Sequence, residues 1–171
     1  MIILIAGGTH TGKTALAQRL LEKYHFPYLS IDHLKMGLIR SGHTSLTPIS
    51  SDDDLTAYLW PVVREMVKTC IENRQNLIVE GCYLPFNYAD DFTEKYLKEI
   101  RYICLVFSRE YIENHFEDIK QAANAVESRI DDGHLSKGLL LRENENNLIL
   151  CKQYKRQYIL IDNTYDADFD I

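Results

Sequence analysis

The sequence has only four cysteines and no closely spaced pair among them. The nearest two, Cys70 and Cys82, are 12 residues apart, so no CxxC motif is available for a zinc site or a redox dithiol. The six histidines show no HxxxH or HExxH spacing, which argues against a helical zinc site. We therefore expect free thiols in a reducing compartment and no structural metal.

Long apolar runs and an excess of basic residues are also missing. The opening run, residues 1–6, is too short for a signal peptide, and no run approaches the roughly 18 residues of a membrane span. With 19 Lys and Arg against 25 Asp and Glu, the net charge is −6, which argues against a general nucleic-acid binder. We expect a cytoplasmic protein, monomeric or homodimeric, with neither a membrane nor a nucleic-acid partner.

Apolar runs typical of buried strands alternate with helical patterns along the chain. The runs cover residues 1–6, 28–31, 77–79, 102–107 and 158–161. They are apolar throughout, as in a parallel sheet that helices cover on both faces. Apolar residues recur between them at helical spacing. The alternation predicts a doubly wound α/β fold, with residues 1–171 forming a single domain.

Local signals indicate where some helices begin and where the chain is irregular. Ser51 and Asp54 fit a capping box, and Ser108 is a candidate N-cap. Pro61 lies inside a long helical pattern and predicts a kink there. Residues 42–51 are rich in Gly, Pro, Ser and Thr, which predicts a loop.

Residues 7–14 read GGTHTGKT and fit GxxxxGK[ST], between an apolar run and an amphipathic helix. In this motif, which we call the phosphate loop, glycines let backbone N–H groups turn inward and form an anion site with the helix N-terminus. Lys13 would reach the β- and γ-phosphates, and the Thr14 hydroxyl would bind Mg²⁺. The motif predicts a nucleoside triphosphate, and we expect ATP, although the sequence leaves GTP open. The predicted nucleotide-binding residues are Gly7, Gly8, Thr9, His10, Thr11, Gly12, Lys13, Thr14, Ala15 and Arg129.

Two carboxylates stand at the ends of the second and third apolar runs. Asp32 follows the second run, and Glu80 ends the third, just before Gly81. Because the carboxyl ends of parallel strands line one crevice, both would face the γ-phosphate. Asp32 could take a proton from an acceptor hydroxyl, hold Mg²⁺-bound water, or cap the next helix. Glu80 could orient Mg²⁺-bound water, contact the acceptor or have no role, and Gly81 would allow a ligand to approach the backbone.

Arginines near the second half of the chain suggest a lid. Arg129 and Arg142 flank a segment with two glycines, and we interpret residues 128–142 as this lid. Such arginines clamp a phosphoryl group in transfer, and lid closure excludes water. The alternative is that both are solvated helix residues.

A helical region after Asp32, about residues 32–73, is the expected acceptor-binding region. On it, Arg40 is preferred over Lys35 for gripping an anionic group, because the guanidinium suits phosphate or carboxylate. A plain surface charge is the alternative for Arg40. The predicted substrate contacts are Asp32, Arg40, Glu80, Gly81 and Arg142. Residues 162–166, after the last run, could pack on the nucleotide base or form an acidic solvated end.

Three segments carry a resemblance to a known family. GGTHTGKT at 7–14, SIDHLKMGLIRSG at 30–42 and LIVEGCYLP at 77–85 resemble the nucleotide- and small-molecule-kinase branch of P-loop proteins. They look similar to 2-phosphoglycerate-kinase-like and adenylate-kinase-like chains. The resemblance implies a three-layer P-loop fold, with a five-stranded parallel sheet of strand order 2-3-1-4-5 and a short lid.

The resemblance also implies functional roles. It assigns Lys13 and Thr14 to ATP and Mg²⁺, Asp32 and Glu80 to the acceptor and metal, and Arg129 to the lid. Adenylate kinases typically carry an acceptor-binding arginine soon after the third strand, whereas residues 80–85 read EGCYLP here. This departure favours a hydroxyl acceptor over a phosphate acceptor.

The sequence therefore predicts an ATP- and Mg²⁺-dependent kinase that acts on a small molecule. Lys13, Asp32 and Arg129 are the predicted catalytic residues, and Thr14, Asp32 and Glu80 the predicted metal contacts. Two alternatives stay open. One is a nucleoside monophosphate kinase, and the other is an ATP-binding regulatory module with little turnover.

Overall fold

The computed structural model describes residues 1–122 and 135–170. In chain order the elements are β1 (Ile2–Gly7), α1 (Lys13–Tyr24), β2 (Tyr28–Ser30), α2 (Ile31–Arg40), α3 (Asp52–Glu72), β3 (Leu77–Glu80), a 3-10 turn (Tyr88–Asp91), α4 (Glu94–Leu97), β4 (Ile100–Phe107), α5 (Arg109–Ala122), α6 (Lys137–Gln153) and β5 (Gln157–Ile161). Within this part of the chain, no helix is both long enough and apolar enough to cross a membrane.

The five strands form one parallel sheet in the order β2-β3-β1-β4-β5. This confirms the predicted fold class and strand order. The register sets Ser30 beside Glu80, and Glu80 beside Ile5. The carboxyl ends of β2, β3 and β1 are therefore level with one another. Residues that follow these three strands emerge at the same edge of the sheet.

The central strand β1 shows why its sequence is apolar at every position. Ile2, Leu4 and Ala6 pack into a core on one face of the sheet, with side chains from α2 and α3. Ile3 and Ile5 pack into a second core on the opposite face, with side chains from α1 and α5. Removing such a side chain from water contributes about 1.5–3 kcal/mol, so both faces stabilise the strand. Two apolar faces leave no place for an alternating polar residue.

The predicted helix starts are confirmed, with one difference at α2. The Ser51 hydroxyl oxygen accepts a hydrogen bond from the Asp54 N–H at 3.1 Å, and Ser108 accepts one from the Tyr111 N–H at 3.0 Å. Helix α2 begins at Ile31 directly after β2, with Ser30 at its N-cap position. Asp32 is therefore in the first turn of α2, and the interpretation of Asp32 as the cap is wrong.

Two further local predictions have different outcomes. Residues 42–51 contain neither helix nor strand, as predicted. Helix α3 holds Pro61 in its interior and continues through it, for 21 residues in all. The kink at Pro61 stays a prediction. Separately, His115 within α5 has non-helical backbone angles.

Part of the predicted lid lies outside the described residues. Residues 123–134, which include Arg129, belong to that part. The remainder of the predicted lid reaches into α6, which begins at Lys137 after the N-cap Ser136. The four cysteines are free thiols, with Cys104 and Cys151 buried and Cys82 exposed.

Candidate active site

A cleft of about 1110 Å³ lies at the carboxyl end of the sheet, around the phosphate loop. Because β2 and β3 lie on one side of β1, and β4 and β5 on the other, the cleft has two ends. The α2 end is lined by Asp32, Lys35, Met36, Arg40, Pro48, Tyr83, Leu84 and Phe86. The α5 end is lined by Phe107, Tyr111, Asp118, Ile119, Ala122, Leu135, Leu139 and Tyr165. The α2 end combines charged and apolar groups, whereas the α5 end is mainly aromatic and aliphatic.

The phosphate loop has a conformation that requires its glycines. Gly7 and Gly12 have φ angles of +146° and +82°, which side chains rarely adopt. A Cβ at Gly7 would also lie 2.7 Å from the carbonyl oxygen of Leu105 on β4. The buried hydroxyl of Thr11 donates to the Gly8 carbonyl at 2.9 Å and closes the loop. The loop is thus built as an anion cradle at the N-terminus of α1.

Lys13 is the first residue of α1, and its side chain turns back into the loop. Its Nζ donates to the Gly8 carbonyl at 2.7 Å, and the residue is only 6% exposed. Burial works to lower the pKa of Lys13, whereas Cys82, Glu80 and Asp32 raise it, and the net direction is upward. The ammonium therefore stays charged inside the cradle, next to two carboxylates.

Glu80 and Gly81 have different positions relative to the cleft. Glu80 ends β3, lines the cleft and is only 1% exposed. Gly81 is not among the described residues that line it. A Cβ at Gly81 would lie 2.9 Å from the Cβ of Ile31, so this glycine lets α2 pack closely against the end of β3.

Asp32 belongs to a three-residue network on the wall of the α2 end. The Lys35 Nζ donates to Asp32 Oδ1 at 2.5 Å and to the Tyr83 hydroxyl at 2.9 Å. The ammonium also lies 4.9 Å from the centre of the Tyr83 ring. Burial works to lower the pKa of Lys35, but Asp32 and Tyr83 raise it overall. Lys35 is consequently held as a cation beside Asp32.

The sequence favoured Arg40 over Lys35 as the residue that binds an anionic group of the acceptor. Arg40 does line the α2 end, at the exposed end of its helix. The available signal for Lys35 was its spacing from Asp32, since residues three apart on a helix are neighbours. Tyr83, which completes the network, is 48 residues away from Lys35 and carried no such signal.

On α6, Glu143 lines the cleft, whereas Arg142, the predicted substrate contact, does not. Arg142 is exposed and is not among the described residues that line the cleft. Glu143 Oε2 instead accepts a hydrogen bond from the Thr9 N–H of the phosphate loop at 3.1 Å. Burial raises the pKa of Glu143, and the charge of Asp52 acts in the same direction, against the lowering effects of Thr9 and Lys13. A carboxylate is thus placed at the edge of the cradle.

The chain after β5 returns to the phosphate loop. The Tyr165 hydroxyl donates to the Thr11 carbonyl at 3.2 Å, and its ring meets Phe107 edge to face. A Cβ at Gly12 would collide with the same hydroxyl. Residues 162–166 therefore reach the cleft, where Tyr165 lines the α5 end.

The polar groups around Lys13 fit ATP with Mg²⁺. Thr14, Asp32 and Glu80 all line the cleft, and the loop supplies the anion cradle. Across residues 1–122 and 135–170, no group of three or more His, Cys, Asp or Glu side chains could hold a metal ion. Mg²⁺ commonly binds through one or two carboxylates together with substrate phosphates and water, so this donor set suits a nucleotide-bound Mg²⁺.

Comparisons with known proteins identify the fold. The sequence matches no family model and no curated protein. Among solved structures it is similar to a candidate kinase from Chloroflexus aurantiacus, with 17% identity, a TM-score of 0.54, and coverage of 99% of this chain and 91% of that one. It is also similar to a shikimate kinase from Bacteroides thetaiotaomicron, with 14% identity, a TM-score of 0.50, and coverage of 95% and 85%. At these identities the likeness shows the fold alone, a five-stranded parallel sheet of order 2-3-1-4-5 with helices on both faces.

Proposed function

We propose that this protein is an ATP- and Mg²⁺-dependent kinase that phosphorylates a hydroxyl group of a small molecule. The observation that carries the proposal is the shared cleft. The phosphate loop, with Lys13 inside it, and the Asp32–Lys35–Tyr83 network line the same cleft. The shikimate kinase among the structural neighbours supports the proposal, because its name indicates a small-molecule acceptor.

The cleft has room and suitable chemistry for two substrates. The aromatic and aliphatic α5 end suits a nucleotide base, and the polar α2 end suits an acceptor. A triphosphate would then extend across the phosphate loop, with its γ-phosphate pointing toward Asp32. This arrangement would bring the acceptor hydroxyl close to the γ-phosphorus, which is the main requirement of phosphoryl transfer.

The reaction can be assigned to residues of this chain. The loop N–H groups and Lys13 bind the β- and γ-phosphates, and Lys13 balances the charge that develops during transfer. Asp32 accepts the proton of the acceptor hydroxyl. At the same time the hydroxyl oxygen bonds to the γ-phosphorus, and the bond between the γ-phosphorus and ADP breaks. Thr14, Asp32 and Glu80 would hold Mg²⁺ directly or through water, and the ion would shield the phosphate charge. Arg129 stays the candidate lid arginine.

The charges at the α2 end favour a hydroxyl over a phosphate as the acceptor group. Asp32 lies at this end, and Asp52 and Glu143 also line the cleft, with Glu143 beside the phosphate loop. Among the described residues that line the α2 end, the cations are Lys35, already paired with Asp32, and the exposed Arg40. A second phosphorylated substrate would meet repulsion from these carboxylates. A nucleoside monophosphate kinase is therefore the weaker candidate.

The Asp32→Asn variant tests the proposal. We expect ATP binding to stay within about twofold of the parent, and acceptor-dependent ADP release to fall about 100-fold or more. The assay uses purified protein with Mg²⁺ and a panel of sugar acids, polyols, nucleosides and nucleoside monophosphates.

Two further variants serve as controls in that assay. Asp53→Asn, at an exposed carboxylate of α3, should behave like the parent, and Lys13→Ala should lose ATP binding. Equal turnover by Asp32→Asn and the parent would remove Asp32 from the mechanism. ATP binding without any acceptor-dependent release would favour a binding module.

A further inference from the structure

The Asp32–Lys35–Tyr83 network offers a donor and an acceptor side by side on the cleft wall. Lys35 has three N–H groups, and its bonds to Asp32 and Tyr83 use two of them. Its side chain is 11% exposed, whereas that of Asp32 is 38% exposed, and both residues line the cleft. A molecule in the α2 end can therefore contact Asp32 and Lys35 together.

The network also fixes the position of the ammonium. The Tyr83 hydroxyl and ring hold Lys35 from one side, and the ion pair holds it from the other. Tyr83 itself is 6% exposed and belongs to the core that also contains side chains of α2 and α3. A donor that is anchored in this way is pre-organised, so little rotamer freedom is lost when a ligand binds.

We propose that Lys35 is an acceptor-positioning residue and that it selects vicinal diols. One hydroxyl of the diol donates to Asp32, and the oxygen on the adjacent carbon accepts the remaining N–H of Lys35. Asp32 Oδ1 and Lys35 Nζ are only 2.5 Å apart. Two ligand oxygens that bind these two atoms at once must therefore lie close to each other, as they do on adjacent carbons. This inference rests on the proposed kinase function.

The charges on this wall distinguish a diol from a hydroxy acid. Both would offer an oxygen to Lys35, but a hydroxy acid would bring a carboxylate near Asp32. Lys35 is already neutralised by Asp32, and Arg40, the other cation at this end, is exposed and lies at the opposite end of α2 from Asp32. A neutral neighbouring hydroxyl is therefore the preferred partner of Lys35.

Matched acceptor pairs test the selectivity. The probes are adenosine against 3′-deoxyadenosine, glycerol against 1,3-propanediol, and 1,2-cyclohexanediol against cyclohexanol, with D-glycerate as the hydroxy acid. ADP release gives kcat and KM for each. For the parent, kcat/KM should be at least tenfold higher for the diol than for the matched compound without the neighbouring hydroxyl. The difference should lie mainly in KM, because losing a hydrogen bond to a charged group has about this effect.

The Lys35→Met variant should lose this preference while keeping the parent's affinity for ATP. Its kcat/KM should fall for both members of each pair, because Asp32 loses its ion-pair partner, but it should fall at least tenfold more for the diol. Lys35→Arg keeps charge and donors and should retain part of the preference. Lys68→Met is the matched control, because Lys68 pairs with Glu65 three residues earlier and lies over the Phe92 ring, outside the cleft.

The outcomes separate this inference from the function on which it rests. Equal use of both members of each pair by the parent, or a preference retained by Lys35→Met, would overturn the inference alone. A preference for D-glycerate over glycerol would replace the diol with a hydroxy acid and overturn it as well. ATP binding with no ADP release for any compound, including the broader panel, would overturn the kinase function itself.

Discussion

At the scale of single residues, the most unusual group in the cleft is Glu143. Its carboxylate accepts the Thr9 N–H, so an anion of the protein lies at the edge of the loop where we propose that the triphosphate binds. Burial raises its pKa, which means that the charged form is already disfavoured there. A bound triphosphate would add a like charge nearby. Glu143 should therefore oppose nucleotide binding at neutral pH.

The Glu143→Gln variant should bind ATP about fivefold more tightly than the parent at pH 7.5, since removing one nearby like charge is worth about 1 kcal/mol. The amide oxygen can still accept the Thr9 N–H. The difference in ATP affinity between Glu143→Gln and the parent should narrow as the pH falls, because the raised pKa of Glu143 lets it take up a proton at a higher pH than an ordinary carboxyl group. Titration calorimetry at several pH values measures this.

Glu145→Gln is the control for that measurement. Glu145 is an exposed carboxylate on the same helix, and it faces Arg109 at 3.8 Å, away from the phosphate loop. Its substitution should leave the affinity for ATP within about twofold of the parent. Unchanged or weaker ATP binding by Glu143→Gln would show that the carboxylate does not oppose the nucleotide.

At the scale of elements, the segment after β5, residues 162–170, connects the sheet, α1 and the phosphate loop. Arg19 of α1 donates to the Ala167 carbonyl at 3.0 Å, and Tyr24 donates to Asp170 at 2.8 Å. Ala167 and Phe169 are buried in the same core as the side chains of α1. This segment has neither helix nor strand, yet it holds α1 in place from the outer side.

The Phe169→Ala variant should lower the free energy of unfolding by about 3 kcal/mol, the usual cost of emptying a buried aromatic position. Urea denaturation followed by circular dichroism measures this. Tyr154→Ala removes an aromatic residue that is 36% exposed, and it should cost less than 1 kcal/mol. A loss of less than 1 kcal/mol for Phe169→Ala would indicate that the segment does not stabilise the fold.

At the scale of the whole molecule, local patterns predicted the architecture better than they predicted the cleft. The apolar run of β1 and the glycines around Lys13 were sufficient to predict a buried parallel strand and an anion loop. The strand order was available only through the resemblance, because periodicity does not encode which strands pair. Residues 162–170 carried no regular pattern. The sequence offered either packing on the nucleotide base or a solvated end for residues 162–166, and it did not indicate the packing of Ala167 and Phe169 against α1.

The candidate site depends even more on contacts between residues that are far apart in the sequence. Asp32 and Lys35 are close in sequence, but Tyr83 is 48 residues from Lys35, and Glu143 is 134 residues from Thr9. Such contacts depend on how distant elements pack. Helix α6 carries polar residues on most of its faces, so the sequence did not indicate that Glu143 would line the cleft in place of Arg142.

The most direct test of the central claim is to follow the γ-phosphate itself. The parent protein is mixed with [γ-³²P]ATP, Mg²⁺ and the acceptor that gives the fastest ADP release, and the products are separated after a single turnover. We predict that the label appears in the acceptor in an amount equal to the ADP formed, and that Lys13→Ala forms neither product. Label found only in free phosphate, or only in unreacted ATP, would contradict the account.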